Sequence, residues 1–227
     1  MFKRVSRVTL ALAAAVLASA PGFTAPMTFH LMQIEQVIGG VNGDVSLQAI
    51  QLRMRLAFQN EVSNARLRAW DAAGANPVIV MDMTTNVPNF QAGARVLIST
   101  PGFAGAFGPV PDFVMTIPIP PAYLPAGKLT FEDDAGTVFW SLAWGGAAYT
   151  GTNMGTVDND ADGNFNPPFP LALPSLTGQS VLFPGPANAP STNNAADYIL
   201  SPGNATFTNN AGETGTVPVE LMGITVQ

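Results

Sequence analysis

The stretch Gln48-Ala-Ile-Gln-Leu-Arg-Met-Arg-Leu-Ala-Phe58, continued by Gln59-Asn-Glu-Val-Ser-Asn64 and Ala65-Arg-Leu-Arg-Ala-Trp70, decides the fold class. Ile50, Leu52, Met54 and Leu56 alternate with Gln51, Arg53 and Arg55, and Ala65, Leu67 and Ala69 alternate with Arg66, Arg68 and Trp70. Successive side chains of a strand point to opposite faces, so this period of two marks a pair of half-buried strands. The six residues between them suit a hairpin loop. A register that puts both apolar rows on one face then places Arg53, Arg55, Arg66, Arg68 and Trp70 together on the other.

Outward from this pair, apolar runs over residues 29–38, 77–83, 94–100, 113–117, 128–132, 137–144, 179–183, 198–200, 205–208 and 215–227 read as further strands, separated by turns such as Asn42-Gly43-Asp44 and Asp133-Asp134-Ala135-Gly136. Val138, Trp140, Leu142 and Trp144 share one face of their strand, opposite Phe139, Ser141 and Ala143, so both faces call for cover. The seven prolines between Thr100 and Lys128 argue against a regular helix there, and no amphipathic helix of three turns is visible anywhere. The expectation is an all-β sandwich with long Pro/Gly-rich loops, filling residues 26–227 as one domain.

Residues 1–25 carry a different signal. A basic start (Lys3, Arg4, Arg7), an apolar run from Val8 to Ala18 and the small residues Ala18-Ser19-Ala20 and Ala25 predict a secretory signal peptide, too short in its apolar part to be a resident membrane helix. The expected product is secreted or held at the cell surface. Without Lys3, Arg4 and Arg7, six of the nine basic residues remain against fifteen acidic ones, a net charge of about −9, which argues against nucleic acid as a partner. The chain has no cysteine, which excludes disulfides, thiolate metal sites and a thiol nucleophile.

The order of these elements, with Leu129-Thr-Phe-Glu-Asp-Asp-Ala-Gly136, Val138, Ala143-Trp144-Gly145, Gly178-Gln-Ser-Val-Leu182 and Asp197-Tyr198, resembles the lamin-tail domains of secreted bacterial proteins over roughly residues 28–210. In that family Trp precedes a Leu-x-Asp-x-x-Gly turn, whereas here Trp70 directly precedes Asp71-Ala-Ala-Gly74. The resemblance implies an immunoglobulin-like β-sandwich acting in adhesion or attachment, with no common reaction.

Three constellations could carry chemistry. Asp158-Asn-Asp160-Ala-Asp162-Gly163-Asn164-Phe165-Asn166 has carboxylates at positions 1, 3 and 5 of a loop turned by glycine at position 6. Asn164 and Asn166 are placed to add a carbonyl and a water-mediated contact, as hard oxygen ligands surround Ca²⁺. Position 12 is Phe169 rather than glutamate, so this is no EF-hand, and a solvated Asx-rich turn is the alternative. The arginine face is expected either to pair with Glu35, Glu61 or Asp82 and to stack on Trp70, or to dock an anionic envelope polymer or surface protein. Trp140, Trp144 and Tyr149 form either a sugar platform or part of the core.

For catalysis the sequence offers little. His30 is the sole histidine, and Glu132, Asp133 and Asp134 read as solvated acids of a turn rather than a carboxylate pair across a cleft. The sequence therefore predicts an exported, non-enzymatic binding or structural module. The alternative is a secreted carbohydrate-active protein, either a glycan-binding module or a hydrolase using acidic residues.

Overall fold

The computed structural model describes residues 29–218. The expected signal peptide over 1–25 and the part of the expected closing strand beyond residue 218 lie outside the described residues.

Two sheets account for most of the regular structure. The larger one contains β1 (Met32–Ile38), β2 (Ala49–Met54), β5 (Arg95–Ser99), β6 (Phe113–Val114), β9 (Val181–Leu182) and β10 (Ile199–Leu200), in the order β10-β9-β1-β2-β5-β6. The smaller one contains β3 (Ala65–Trp70), β4 (Val78–Asp82), β7 (Gly127–Asp133) and β8 (Val138–Trp144), in the order β4-β3-β7-β8. All neighbours are antiparallel except β5 and β6. A separate two-stranded ribbon is formed by β11 (Thr206–Thr208) and β12 (Thr214–Thr216). The chain is thus all-β, as the alternation implied.

One expectation fails instructively. β2 and β3 are not a hairpin: β2 pairs with β1 and β5, and β3 pairs with β4 and β7. The residues between them carry the chain from one sheet to the other. The apolar rows Ile50-Leu52-Met54 and Ala65-Leu67-Ala69 still share one core, but they enter it from opposite sides. Period two is satisfied equally by one strand pair with one buried face and by two sheets facing each other. In the second case the outward residues part company, so Arg53 and Arg66 end on opposite surfaces of the sandwich. Leu56, expected in the apolar row, lies beyond the end of β2 and is half exposed.

A bulge sets the phase of β1. Ile34 pairs with Leu52 and Gln36 with Gln51, which leaves Glu35 as the extra residue. Strict alternation would have put Gln36 into the core. The bulge instead keeps both Glu35 and Gln36 outward and returns Val37 to the interior, where it packs with Ile34 and Ile50.

The outer face of the six-stranded sheet is itself covered. Ile38, Ala49 and Leu97 point outward under Phe103, Ala205, Phe207 and Val217, with the Phe103 and Phe207 rings edge to face at 5.2 Å. Phe103 belongs to α1 (Pro101–Phe107), a helix that the proline count was read to exclude. The prolines are placed to permit it. Thr100 caps the helix by accepting the amide of Phe103, Pro101 occupies the first turn, where its missing N–H is not needed, and Gly108 ends it at φ +49°. A second short helix, α2 (Asn194–Asp197), is capped by Asn193.

Trp140 and Trp144 are fully buried and Tyr149 nearly so, which makes them core rather than a platform. Trp140 Nε1 donates to Tyr198 Oη at 2.7 Å, and that hydroxyl donates to Ile34 O at 2.6 Å. One buried phenol thereby ties β8 of one sheet to β1 of the other, and burial pushes its pKa well up.

Candidate functional site

Each sheet holds a single buried glutamate on its outer face, and each glutamate gathers arginines. In the larger sheet, cross-strand register brings Arg53 opposite both Gln33 and Arg95, with Glu35 one step along β1. Arg53 Nη1 lies 2.9 Å from Glu35 Oε1. Arg95 grips both Glu35 oxygens at 2.8 and 3.0 Å, and Gln51 Nε2 donates to Oε2 at 2.7 Å. β11 lies over this group: Thr208 N donates to Gln51 Oε1, and Gln36 Nε2 donates to Thr206 O at 3.0 Å. Burial lowers the pKa of Arg53, with Glu35 acting in the opposite sense. A cleft of about 360 Å³ opens beside it, lined by Arg95, Gln51, Asn204 and Thr206, and its one lining carboxylate is Glu35.

In the smaller sheet the glutamate is Glu132, which is 1% exposed and lies on β7 rather than in a solvated turn. Its Oε1 receives Arg66 Nε at 2.5 Å and Arg68 Nη2 at 2.9 Å. The β3–β7 register puts Arg66 opposite Glu132, Arg68 opposite Thr130 and Trp70 opposite Lys128. Trp70 Nε1 donates to Thr130 Oγ1 at 3.1 Å. Arg68 Cζ lies 5.3 Å from the Trp70 ring centroid, and Lys128 Nζ lies 4.9 Å from it. Burial pulls the Lys128 pKa down to about 8, with Glu132 pulling the other way, so the amine is still largely a cation at neutral pH. Ile79 lies across from Arg68 on β4 and Asp82 across from Arg66, and both are exposed. Arg66, Arg68 and Trp70 are only partly buried, so the β3–β4 part of this face meets solvent, whereas Lys128, whose Nζ donates to Thr152 O at 2.9 Å, and the outward residues of β8 are buried.

The expected partners were thus half right. Glu35 does take Arg53, and Trp70 does carry an arginine. Glu132, read as solvated, is the carboxylate that Arg66 and Arg68 share, and Arg95 was not foreseen at all. The arginine pattern of β2 and β3 pointed to these clusters, but only the pairing of β3 with β7 identifies the acid.

Arg55 behaves differently from the other four. Its guanidinium donates to Ala189 O, Asp158 O, Asn159 Oδ1 and Asn188 O at 2.8–3.1 Å, a cradle of carbonyl oxygens. Burial lowers its pKa. The effect is to strap two long loops to the end of β2.

One of those loops is the aspartate-rich segment. It forms the tip of a hairpin-like excursion in which Gly155 N donates to Gly163 O and Phe165 N to Asn153 O. Gly163 takes φ +73°, the turn expected of position 6. Asn159 is fully buried and donates to His30 O and Phe139 O at 2.7 and 2.8 Å. Asp160, Asp162 and Asn164 each accept the amide two residues on, forming a chain of Asx turns that ends at Asn166. Asp158 is taken up by Thr156, whose hydroxyl donates to Oδ2 at 3.0 Å. Among the described residues no three acidic, imidazole or thiol side chains converge, so the geometry gathers Asp160 and Asp162 and leaves Asp158 to one side.

Among the described residues, no helix is long and apolar enough to cross a membrane. No protein-family model matches the chain, and no curated protein matches it significantly, so the residues themselves carry the functional reading.

Proposed function

We propose that the chain is an exported, non-enzymatic attachment module whose docking face is the open side of the four-stranded sheet, and that its ligand is an acidic polymer of the cell envelope. The observation that carries this reading is Trp70, partly exposed between Arg68 and Lys128. Two arginines share one buried carboxylate there and the buried Lys128 lies under the same indole, on a chain whose formal net charge is −6. A cationic patch on an acidic protein favours an anionic partner, and a flanked indole offers a flat surface to a sugar ring. The lamin-tail resemblance, with its immunoglobulin-like sandwich and attachment role, points the same way.

The carbohydrate-active alternative divides in two. A hydrolase of the usual kind needs two carboxyls facing across a cleft, and the cleft beside Glu35 is lined by that carboxylate alone. A neutral-glycan binder would use the same Trp70 without needing the cations. Binding to polygalacturonate and to dextran separates the readings. The attachment reading expects salt-sensitive binding to polygalacturonate, none to dextran, and at least tenfold weakening in R68A/W70A. Equal binding to dextran would favour the neutral-glycan reading, and binding to neither would remove the proposal.

A further inference from the structure

Burial of a carboxylate requires compensation. Asp160 is 2% exposed, and its Oδ1 accepts the Asp162 amide at 3.0 Å, yet its Oδ2 is buried with no hydrogen-bond partner among the described residues. Among the described residues no salt bridge involves it either: Arg55, the cation of this loop, donates to Asp158 O, Asn159 Oδ1 and the 188–189 carbonyls. The side chain within reach of Asp160 is instead a second carboxylate, Asp162, whose Oδ1 is occupied by the Asn164 amide at 2.9 Å. An unpartnered buried anion beside another anion is costly unless a cation sits between them.

We infer that Asp160 and Asp162 together hold a divalent cation, and that the ion is Ca²⁺ rather than Mg²⁺ or a transition metal. The donors are hard oxygens throughout, with no imidazole or thiolate at the site, which suits an alkaline-earth ion. The loop supplies only two carboxylates, and its other oxygens are amide and main-chain carbonyls at irregular positions. Ca²⁺ accepts such a set with water completing six to eight ligands, whereas Mg²⁺ demands a near-ideal octahedron. Two carboxylates make a weak site, of the kind that fills at extracellular calcium levels of about 0.1–1 mM.

The ion would have a structural consequence. Asn159, next to Asp160, accepts the Ser191 amide on its carbonyl at 2.7 Å, and Ser191 Oγ donates to Asp197 at 2.8 Å. The same excursion contributes Asn153, which accepts the Ser141 hydroxyl and donates to Asn194 over the outer face of β8. Filling the site therefore fastens the cover of β8 as well as the loop. This inference is independent of the polymer-binding reading and is tested without any polymer.

The test is calorimetric melting of the full chain after EDTA treatment, with and without about 10 mM CaCl₂, with MgCl₂ as comparison. The expected result is a Tm rise of about 3–6 °C with Ca²⁺ and a smaller one with Mg²⁺. D160N is expected to abolish the shift, and D162N, at a more exposed position, to abolish or halve it if D160N does not fold. D134N, in the β7–β8 turn, is expected to leave it intact. An identical wild-type Tm in EDTA and CaCl₂ would overturn the inference, because the two carboxyls would then be sharing a proton. A full calcium shift retained in both D160N and D162N would overturn it equally.

Discussion

The two outer faces of the sandwich solve the same problem in different ways. Glu35 lies under β11, with Gln51 bound both to it and to the backbone of Thr208. Glu132 has no such ribbon above it: its cover is Arg66, Arg68 and Trp70 themselves, all partly exposed. An ion pair beneath a roof holds the roof and the sheet in register, and in the first cluster only Arg95, beside the cleft, meets solvent while Arg53 and Glu35 are buried. The same pair without a roof leaves cationic and aromatic surface for a partner. On this comparison the first cluster is structural and the second is where binding is to be sought.

The comparison breaks most readily at the glutamates. E35A strands Arg53 in the sheet and leaves Gln51 without its acceptor, and is expected to cost about 3–5 kcal/mol in urea unfolding, the range for removing one partner of a buried pair. E132A leaves arginines that swing to water, so its cost should be smaller, about 1–3 kcal/mol. Equal costs would erase the distinction between the two faces. R55A removes four hydrogen bonds at once, two of them part-buried and two at exposed carbonyls, with an expected loss of about 1–2 kcal/mol. Limited proteolysis should then cut within the 156–166 and 186–190 loops before the sheets, and cutting elsewhere first would contradict the strap.

The pH dependence sharpens the open face. Lys128 titrates near 8 in the folded state against an ordinary value of 10.5, so between those limits the unfolded chain binds the extra proton. Stability therefore rises with pH from about 8 towards 10, by up to about 2 kcal/mol after allowance for solvent screening. K128M should flatten that rise, and a slope unchanged in the variant would place its origin elsewhere. The smallest expected stability effect is that of R68A, under about 1 kcal/mol, because its guanidinium is partly solvated and Arg66 remains on Glu132.

How far the sequence could be read follows from the same residues. Alternation announced β2, β3, β7 and β8 and the burial of Trp140, Leu142 and Trp144, because side-chain period is a local property. It could not say whether Arg53 and Arg66 share a surface, because a hairpin and a crossing between sheets present the same pattern to the core. Glu132 reads with the turn acids Asp133 and Asp134 although it ends the expected strand 128–132; its alternation with Thr130 was the signal available. α1 was hidden by counting prolines instead of placing them, since Pro101 after Thr100 is a helix start. The aspartate loop was visible as spacing, and Gly163 turns as that spacing requires. The unpartnered oxygen of Asp160 depends on Asn159 being drawn into the interior by His30 O and Phe139 O, which no local pattern encodes.

The most direct test of the central claim uses the three tryptophans. Trp140 and Trp144 are fully buried, so Trp70 is the indole that acrylamide can reach. Fluorescence quenching of the wild-type chain should be confined to Trp70, vanish in W70F, and be suppressed when polygalacturonate is added at saturation. Quenching that is unchanged by saturating polymer, or that persists in W70F, would contradict the assignment of the open face as the site of attachment.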